Sequence, residues 1–281
     1  MAIKLVIDSA SDISKEEAKE LGIHVIPIII SFGEEDFLDG DTLLPQEFYN
    51  KLVSSSNLPT TSQITPFRYQ EELDQFINNG DEVVLITLSS KISGTYNNAK
   101  QAAEKYNGKV VVIDSLNACT GERLLGLYAL QLIKQNKSLK EIEETLNKAK
   151  TKINVIAMID TLKYLKKGGR ISAAAAVAGE LFSIKPIISV IDGEVKVIGK
   201  CMGLKKAFVH LNNLIQNKGG IDLSLPYGAI WSGTDETNIE KYLNDNSSFW
   251  NKNIDIAKYV LGGTIGTHIG PGAVGLAFFE K

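Results

Sequence analysis

Through the first 150 residues, short apolar runs of strand length alternate with segments that carry helix-start signals. Leu5–Ile7 is followed by the capping box Ser14-Lys-Glu-Glu17, and Gly22 stops the helix it opens. The apolar run Ile23–Ile30 comes next, then Thr65-Pro66, an N-cap with proline at the first helical position, opening a helix to about Ile77. Val83–Leu88 reads as a buried strand, 95–106 as a helix and Val110–Ile113 as a further strand. Two helices follow, over 121–134 and from the box Ser138-Leu-Lys-Glu141. Strand, helix, strand at this spacing predicts a parallel sheet covered by helices.

The pattern changes near Thr151. Asn154–Ile159 reads as a strand and 161–182 as one long or broken helix interrupted at Gly168-Gly169. Ile184–Ile191 and Val195–Ile198 flank Asp192-Gly193, the pairing a type I′ hairpin turn requires. Lys205–Asn217 has helical amphipathicity, and Tyr227–Trp231 and Val274–Phe279 read as strands. The expected organisation is an N-terminal parallel α/β domain over 1–150 and a C-terminal mixed or antiparallel α/β domain over 151–281.

Composition removes several classes of function. The chain is 44% hydrophobic, which supplies a real core, and its net charge of -3 is spread without a basic stripe for nucleic acid or an anionic membrane. It has no run of 18 apolar residues and no signal-peptide pattern, so a cytoplasmic protein without stable membrane insertion is expected. The two cysteines, Cys119 and Cys201, lie far apart and read as reduced thiols.

Two nucleotide motifs are excluded by context. Gly270-Pro-Gly272-Ala-Val-Gly275 fits G-x-G-x-x-G, but too little chain follows for the helix and second strand. Gly193 to Gly199-Lys200 has the wrong spacing for a P-loop, and Cys201 stands where Ser or Thr is needed. No C-x-x-C or H-E-x-x-H is present, so no metal is expected. Asp8, Asp12, Asp39 and Asp41 read as caps and turn formers.

Four polar segments remain. Ser93-Gly94-Thr95 lies where a strand ends and a helix begins, a place that suits an anion. Gly94 would let a ligand approach the backbone; the alternative is that Ser93 only caps the helix. Thr60-Thr61-Ser62-Gln63 is a hydroxyl-rich stretch, and Gly168-Gly169-Arg170 presents a cation able to meet a carboxylate, a phosphate or a partner. The fourth segment, Gly262 to Gly275, reads as a tightly turned loop holding His268 as a hydrogen-bond donor to an anion. His24 and His210 read as structural.

In this order, these segments resemble the DegV family, which includes the fatty-acid-binding subunits of bacterial fatty acid kinase. The likeness rests on Ile7-Asp8-Ser9, Leu38-Asp39-Gly40, Thr61-Ser62-Gln63, Ser93-Gly94-Thr95, Ile113-Asp114-Ser115, Gly168-Gly169-Arg170-Ile171 and Gly266-Thr-His268-Ile-Gly-Pro-Gly. It implies two α/β domains with a long-chain fatty acid such as palmitate between them. Thr61 and Ser93 would bind its carboxylate, Ser62 and Gly94 would add backbone N–H groups, and His268 would lie near the head group. Arg170 would stand at the mouth, where the ATP-binding kinase subunit docks to make acyl phosphate. The resemblance thus implies a monomeric, non-catalytic carrier without a cofactor. One departure is Cys201-Met202-Gly203-Leu204 before Lys205-Lys206-Ala207, where many members carry basic residues.

Burying about fourteen methylenes of palmitate at about 0.8 kcal/mol each would supply on the order of 11 kcal/mol before association costs of about 4 kcal/mol or more. The tail would dominate affinity and the polar groups would orient the head. Ala173–Ala176, Val177, Phe182, Ile184, Ile187 and Ile265 are the candidate tunnel walls. The alternative function is an esterase or acyltransferase using Ser93 and His268, although no G-x-S-x-G elbow surrounds Ser93.

Overall fold

The computed structural model describes residues 2–172, 184–246 and 256–281. The first half contains β1 (Ile3–Asp8), α1 (Lys15–Leu21), β2 (Ile23–Ile26), β3 (Ile29–Phe32), β4 (Glu35–Leu38), α2 (Pro45–Ser54) and β5 (Thr60–Ser62). It continues with α3 (Pro66–Asn78), β6 (Glu82–Thr87), α4 (Thr95–Ala103), β7 (Val110–Asp114), α5 (Thr120–Lys134) and α6 (Leu139–Ala149). The second half holds β8 (Ile153–Met158), α7 (Lys163–Lys167), β9 (Ile184–Ile191), β10 (Glu194–Met202) and α8 (Leu204–Asn217). Then come β11 (Tyr227–Trp231), α9 (Thr237–Asp245), β12 (Lys258–Val260), α10 (Gly263–Ile269) and β13 (Val274–Phe279).

The helix starts follow local chemistry. The Ser14 hydroxyl accepts the Glu17 N–H, Thr65 accepts the Arg68 N–H, and Ser138 and Glu141 close a full capping box. The first sheet is parallel, in order β2-β1-β6-β7, as alternation demanded. The run 23–30 is split between two sheets. Pro27 has no N–H to give a ladder, and the Ile28 N–H turns instead to the Ser9 hydroxyl at 2.9 Å. Beyond that point β3 joins a small antiparallel sheet, β4-β3-β5, which brings Thr61 opposite Ile30.

The second large sheet runs β10-β9-β8-β13-β11-β12, antiparallel except for β11 with β12. Its hairpin turn has Asp192 at φ 53° and Gly193 at φ 82°, the two positive angles of type I′. The hairpin tip meets the first half of the chain, where the Ser89 hydroxyl donates to the Gly193 carbonyl at 2.7 Å. Side chains alternate along β8: Ile156 and Met158 pack with Phe208 and Tyr242, whereas Val155 and Ala157 face the first half. Helix α5 packs on β1 and β6 of one sheet and on β8 and β13 of the other, so one apolar cluster runs from Leu5 and Ile7 to Val155 and Phe279. Gly126 makes this possible, because a Cβ there would lie 3.0 Å from the Ile7 Cδ1.

One expectation is corrected. The stretch 262–275 is not wholly a loop: Gly263–Ile269 is helical. Its glycines serve close packing, since a Cβ on Gly263 would press on Ile30 and Phe48, and one on Gly266 on Phe48 and Tyr49. The long or broken helix expected over 161–182 has its break at Gly168-Gly169, as expected: 173–183 lie outside the described residues, and Lys163–Lys167 is helical. It ends in a Schellman motif, with Gly169 at φ 70°, the Gly169 N–H on the Lys166 carbonyl and the Arg170 N–H on the Leu165 carbonyl.

Candidate functional site

A cavity of about 660 Å³ opens between the C-terminal edge of the parallel sheet and the inner face of the second sheet. Its size is that of a small-molecule site, roughly 300–1,000 Å³. One part is polar, lined by Thr61, Ser62, Gln63, Ser93, Gly94, Arg170 and His268. The remaining lining includes Leu88, Ala118, Val155, Ala157, Ile188 and Ile265, with Ser90, Lys91, Ser189 and Thr264 between the apolar residues. Every head-group residue singled out in the sequence borders this one space.

Each polar residue is delivered by a different element. Thr61 and Ser62 come from the edge strand β5, paired to β3. Ser93 and Gly94 come from the turn between β6 and α4, in the position open α/β sheets use for ligands. The Ser93 hydroxyl accepts the Thr95 N–H at 3.3 Å and lies 2.9 Å from Thr95 Oγ1, so it caps the helix and lines the cavity together. At Gly94 the close approach is made by Gln63, whose side-chain amide occupies the space a Cβ would need.

Helix α10 carries His268, and two aspartates from the first half hold its start. The Asp39 carboxylate accepts the N–H groups of Gly263 at 2.9 Å and Thr264 at 3.1 Å, and Asp12 accepts that of Gly262 at 2.7 Å. Asp39 also takes the Ser9 hydroxyl at 3.0 Å. They are caps, as expected, but of a helix more than 220 residues away in sequence. Asp8 caps locally, accepting from Ala10, and also binds the Leu88 N–H at 2.9 Å, which fixes the turn leading to Ser93. Asp41 pairs with Lys15 at the surface.

His268 Nε2 lies 3.1 Å from Thr61 Oγ1, while its Nδ1 is buried without a hydrogen-bond partner and packs against Gly168. Burial, and then the charge of Arg170, draw the imidazole down to about 4, so it is neutral at pH 7. The half-buried Arg170 guanidinium donates to the Gly168 carbonyl at 2.6 Å, and no carboxylate pairs with it among the described residues. Burial pulls it below its usual value, yet a guanidinium stays charged. A cation, two hydroxyls and a neutral imidazole in a cavity with many apolar walls can receive an anion with a greasy tail.

The tunnel walls are only partly those foreseen. Ile265 lines the cavity, whereas Ile187 packs on the opposite face with Ile156 and Phe208, and its neighbour Ile188 takes the wall position. Ile184 does not border the space, and Ala173–Ala176, Val177 and Phe182 lie outside the described residues. The period of two along β8 and β9 carries the signal for Val155, Ala157 and Ile188; choosing the face required the pairing Ala157↔Ile188. Cys119, which the sequence reading left aside, also borders the cavity; burial pushes its thiol up, away from thiolate chemistry. Both cysteines are free. Among the described residues no group of three or more His, Cys, Asp or Glu could hold a metal ion, and no helix is long and apolar enough to cross a membrane.

Comparison with known proteins places these features in a family. The family model described as "Uncharacterised protein, DegV family" matches residues 2–281. A DegV domain-containing protein of Caldanaerobacter subterraneus subsp. tengcongensis is 34% identical over 99% of each chain. The solved fatty-acid-binding DegV family protein from Thermus thermophilus superposes with a TM-score of 0.88 at 28% identity, over 100% of both chains. The stearic acid-binding protein from Eubacterium ventriosum gives 0.87 at 25% identity, over 100% of this chain and 99% of that one. A match along its whole length, in sequence and in fold, makes this chain a member of the DegV family.

Proposed function

We propose that this protein binds a long-chain fatty acid, with the carboxylate at Thr61 and Ser93 and the tail along the inner face of the second sheet. The observation that carries the reading is that one cavity is bordered both by Thr61, Ser93, Arg170 and His268 and by many apolar side chains. Backbone N–H groups of Ser62 and Gly94 and the His268 imidazole complete the head-group cradle. Solved relatives described as binding fatty acids share the fold over the full chain, which supports the same ligand class here.

The finer reading is a monomeric carrier that presents the acid to the ATP-binding subunit of a fatty acid kinase for acyl phosphate formation. It works in the cytoplasm and needs no cofactor of its own. Arg170, a half-buried residue of the cavity lining, is the one proposed to stand at the mouth and meet the kinase or the head group. Met202 is 65% exposed where the family resemblance implies a basic residue, so a partner docking there would meet one cation fewer beside the exposed Lys200, Lys205 and Lys206.

Organic extraction of the purified protein, followed by mass spectrometry, should release fatty acid. Combining Thr61→Ala with Ser93→Ala should weaken palmitate binding about tenfold to a hundredfold, the loss of one or two hydrogen bonds to a charged group. A lipid-free protein that ignores added palmitate would reject the proposal. Acyl phosphate formed from palmitate and ATP only when a kinase subunit and this chain are both present would support the finer reading.

The esterase alternative gains little from the geometry. His268 faces Thr61, and Ser93 bonds to Thr95, so the two do not form a nucleophile–base pair in this arrangement. Hydrolysis of a p-nitrophenyl ester that vanishes in Ser93→Ala would revive it.

A further inference from the structure

We infer that a second cavity, behind the start of α10, binds a small apolar cation, a primary ammonium on a short aromatic or alkyl body, and that this occupant steadies one wall of the lipid cavity. The coupling, though not the site itself, depends on the fatty-acid reading.

The second cavity measures about 390 Å³, within the range of small-molecule sites, roughly 300–1,000 Å³. It lies between α1, β2 and the 39–45 segment, and it shares a wall with the lipid cavity. Along the chain into α10 the lining alternates. Val260 and Gly262 border the second cavity, whereas Leu261, Thr264 and Ile265 border the first. Pro27 and Ile28 divide in the same way. The partition is therefore one chain thick. Ile13, Ile23, Leu44 and Val260 give the second cavity apolar walls, and Leu44, 49% exposed, marks its rim.

The charge of the occupant follows from two carboxyls, Asp12 and Asp39, that border this space. Asp39 takes only N–H and hydroxyl donors, and Asp12 Oδ2 is buried without a partner. Burial, and then the charge of Asp39, lift the Asp12 carboxyl well above its usual range. Arg123 acts on Asp12 from a distance but forms its ion pair with Glu17. Among the other lining residues Lys15 is taken by Asp41 at 2.5 Å, Lys19 is matched in charge by Glu16, and His24 is held by Glu72. The unmatched charge is negative, and an ammonium among apolar walls relieves it. An anion of the same shape would add to the repulsion.

Asp12 and Asp39 also hold the N–H groups of Gly262, Gly263 and Thr264. An ammonium beside them keeps both carboxyls ionised, and hydrogen bonds to an ionised acceptor are the stronger ones. Leu261, Thr264 and Ile265 are then fixed more firmly on the lipid side.

The probe is 2-phenylethylamine, compared with 3-phenylpropionate, a similar body of opposite charge, on the full chain with and without palmitate. Backbone amide spectra should show the amine shifting Val260 and Gly262, with affinity about tenfold or more above that of 3-phenylpropionate. Leu44→Lys, at an exposed position, should weaken the amine about tenfold by like-charge repulsion. Asp12→Asn keeps an oxygen for the Gly262 N–H and should weaken it similarly. Saturating amine should tighten palmitate about fivefold or more, and palmitate should tighten the amine by the same factor. No amine binding at millimolar concentration, equal binding of 3-phenylpropionate, or unchanged amine binding in folded Leu44→Lys or Asp12→Asn overturns the site. Unchanged palmitate affinity at saturating amine overturns the coupling. If no form of the protein binds palmitate, the fatty-acid reading fails instead, and the amine titration still decides the second site.

Discussion

Asp39 Oδ1 accepts the backbone N–H of Gly263 at 2.9 Å, joining residues 224 apart in the chain. This bond caps the helix that carries His268, so a carboxylate from the first half sets the position of an imidazole from the second. Asp39 is 3% exposed, and burial raises its carboxyl above the usual range while the hydrogen bonds oppose that shift. Asp39→Ala should cost about 2 kcal/mol or more in urea unfolding, since it leaves two helix N–H groups without an acceptor. Palmitate affinity should fall as well. An Asp39→Ala protein with wild-type stability would remove the cap from the account.

Gly168 and His268 make a second prediction. The backbone of Gly168 is helical at φ -73°, so alanine fits the chain but not the space beside Nδ1. Gly168→Ala should cost about 1–3 kcal/mol of overpacking strain, part of it relieved by displacing the ring from Thr61. Palmitate affinity should drop more than stability, as calorimetric titration beside thermal unfolding would show. By contrast Gly169→Ala, at φ 70° with open space around it, should lower stability and leave affinity nearly unchanged.

Glu122 lies in the first turn of α5, fully buried, with neither carboxyl oxygen hydrogen-bonded. Burial first, and then the charges of Asp8, Asp12 and Asp114, raise its pKa well above the ordinary carboxylate value. A raised pKa in the folded state favours folding fully below the unfolded value. That stability is lost as pH rises toward the folded value. Glu122→Gln should therefore flatten the decline in stability above pH 5 by at most one proton's slope, about 1.4 kcal/mol per pH unit. Urea denaturation at pH 5, 6, 7 and 8 reads this directly, and identical slopes would refute it.

Ala157 stands on the cavity wall with its side chain on the inner face of β8. Ala157→Phe should fill part of the tail space and shift the bound acids toward shorter chains, each excluded methylene losing about 0.8 kcal/mol. Mass spectrometry of the acids that copurify is the measurement. An unchanged chain-length profile would mean that the tail does not pass β8.

Several features were legible before any tertiary structure. The type I′ turn at Asp192-Gly193, the N-cap at Ser14 and the capping box at Ser138 depend on neighbours only a few residues away. Strand Tyr227–Trp231 matches its predicted bounds because its apolar run coincides with its burial. Thr61, Ser93, Arg170 and His268 could be named one by one, and family resemblance linked them. Nothing local announced that β3 leaves the first sheet, because both strands flanking Pro27 are equally apolar. The glycines of 262–275 suggested turns, since a sequence shows a glycine's freedom and not what presses against it.

Local backbone chemistry and the period of apolar residues were thus determined by the sequence itself: the alternating elements, the parallel first sheet, the hairpin and the set of candidate polar residues. Tertiary structure alone decided which face of β8 and β9 lines the cavity, that Asp39 caps a helix on the far side of the chain, and that His268 turns Nε2 to Thr61. Those outcomes depend on strand register and on close packing between segments more than 200 residues apart, and a one-residue slip in either would have chosen the other face.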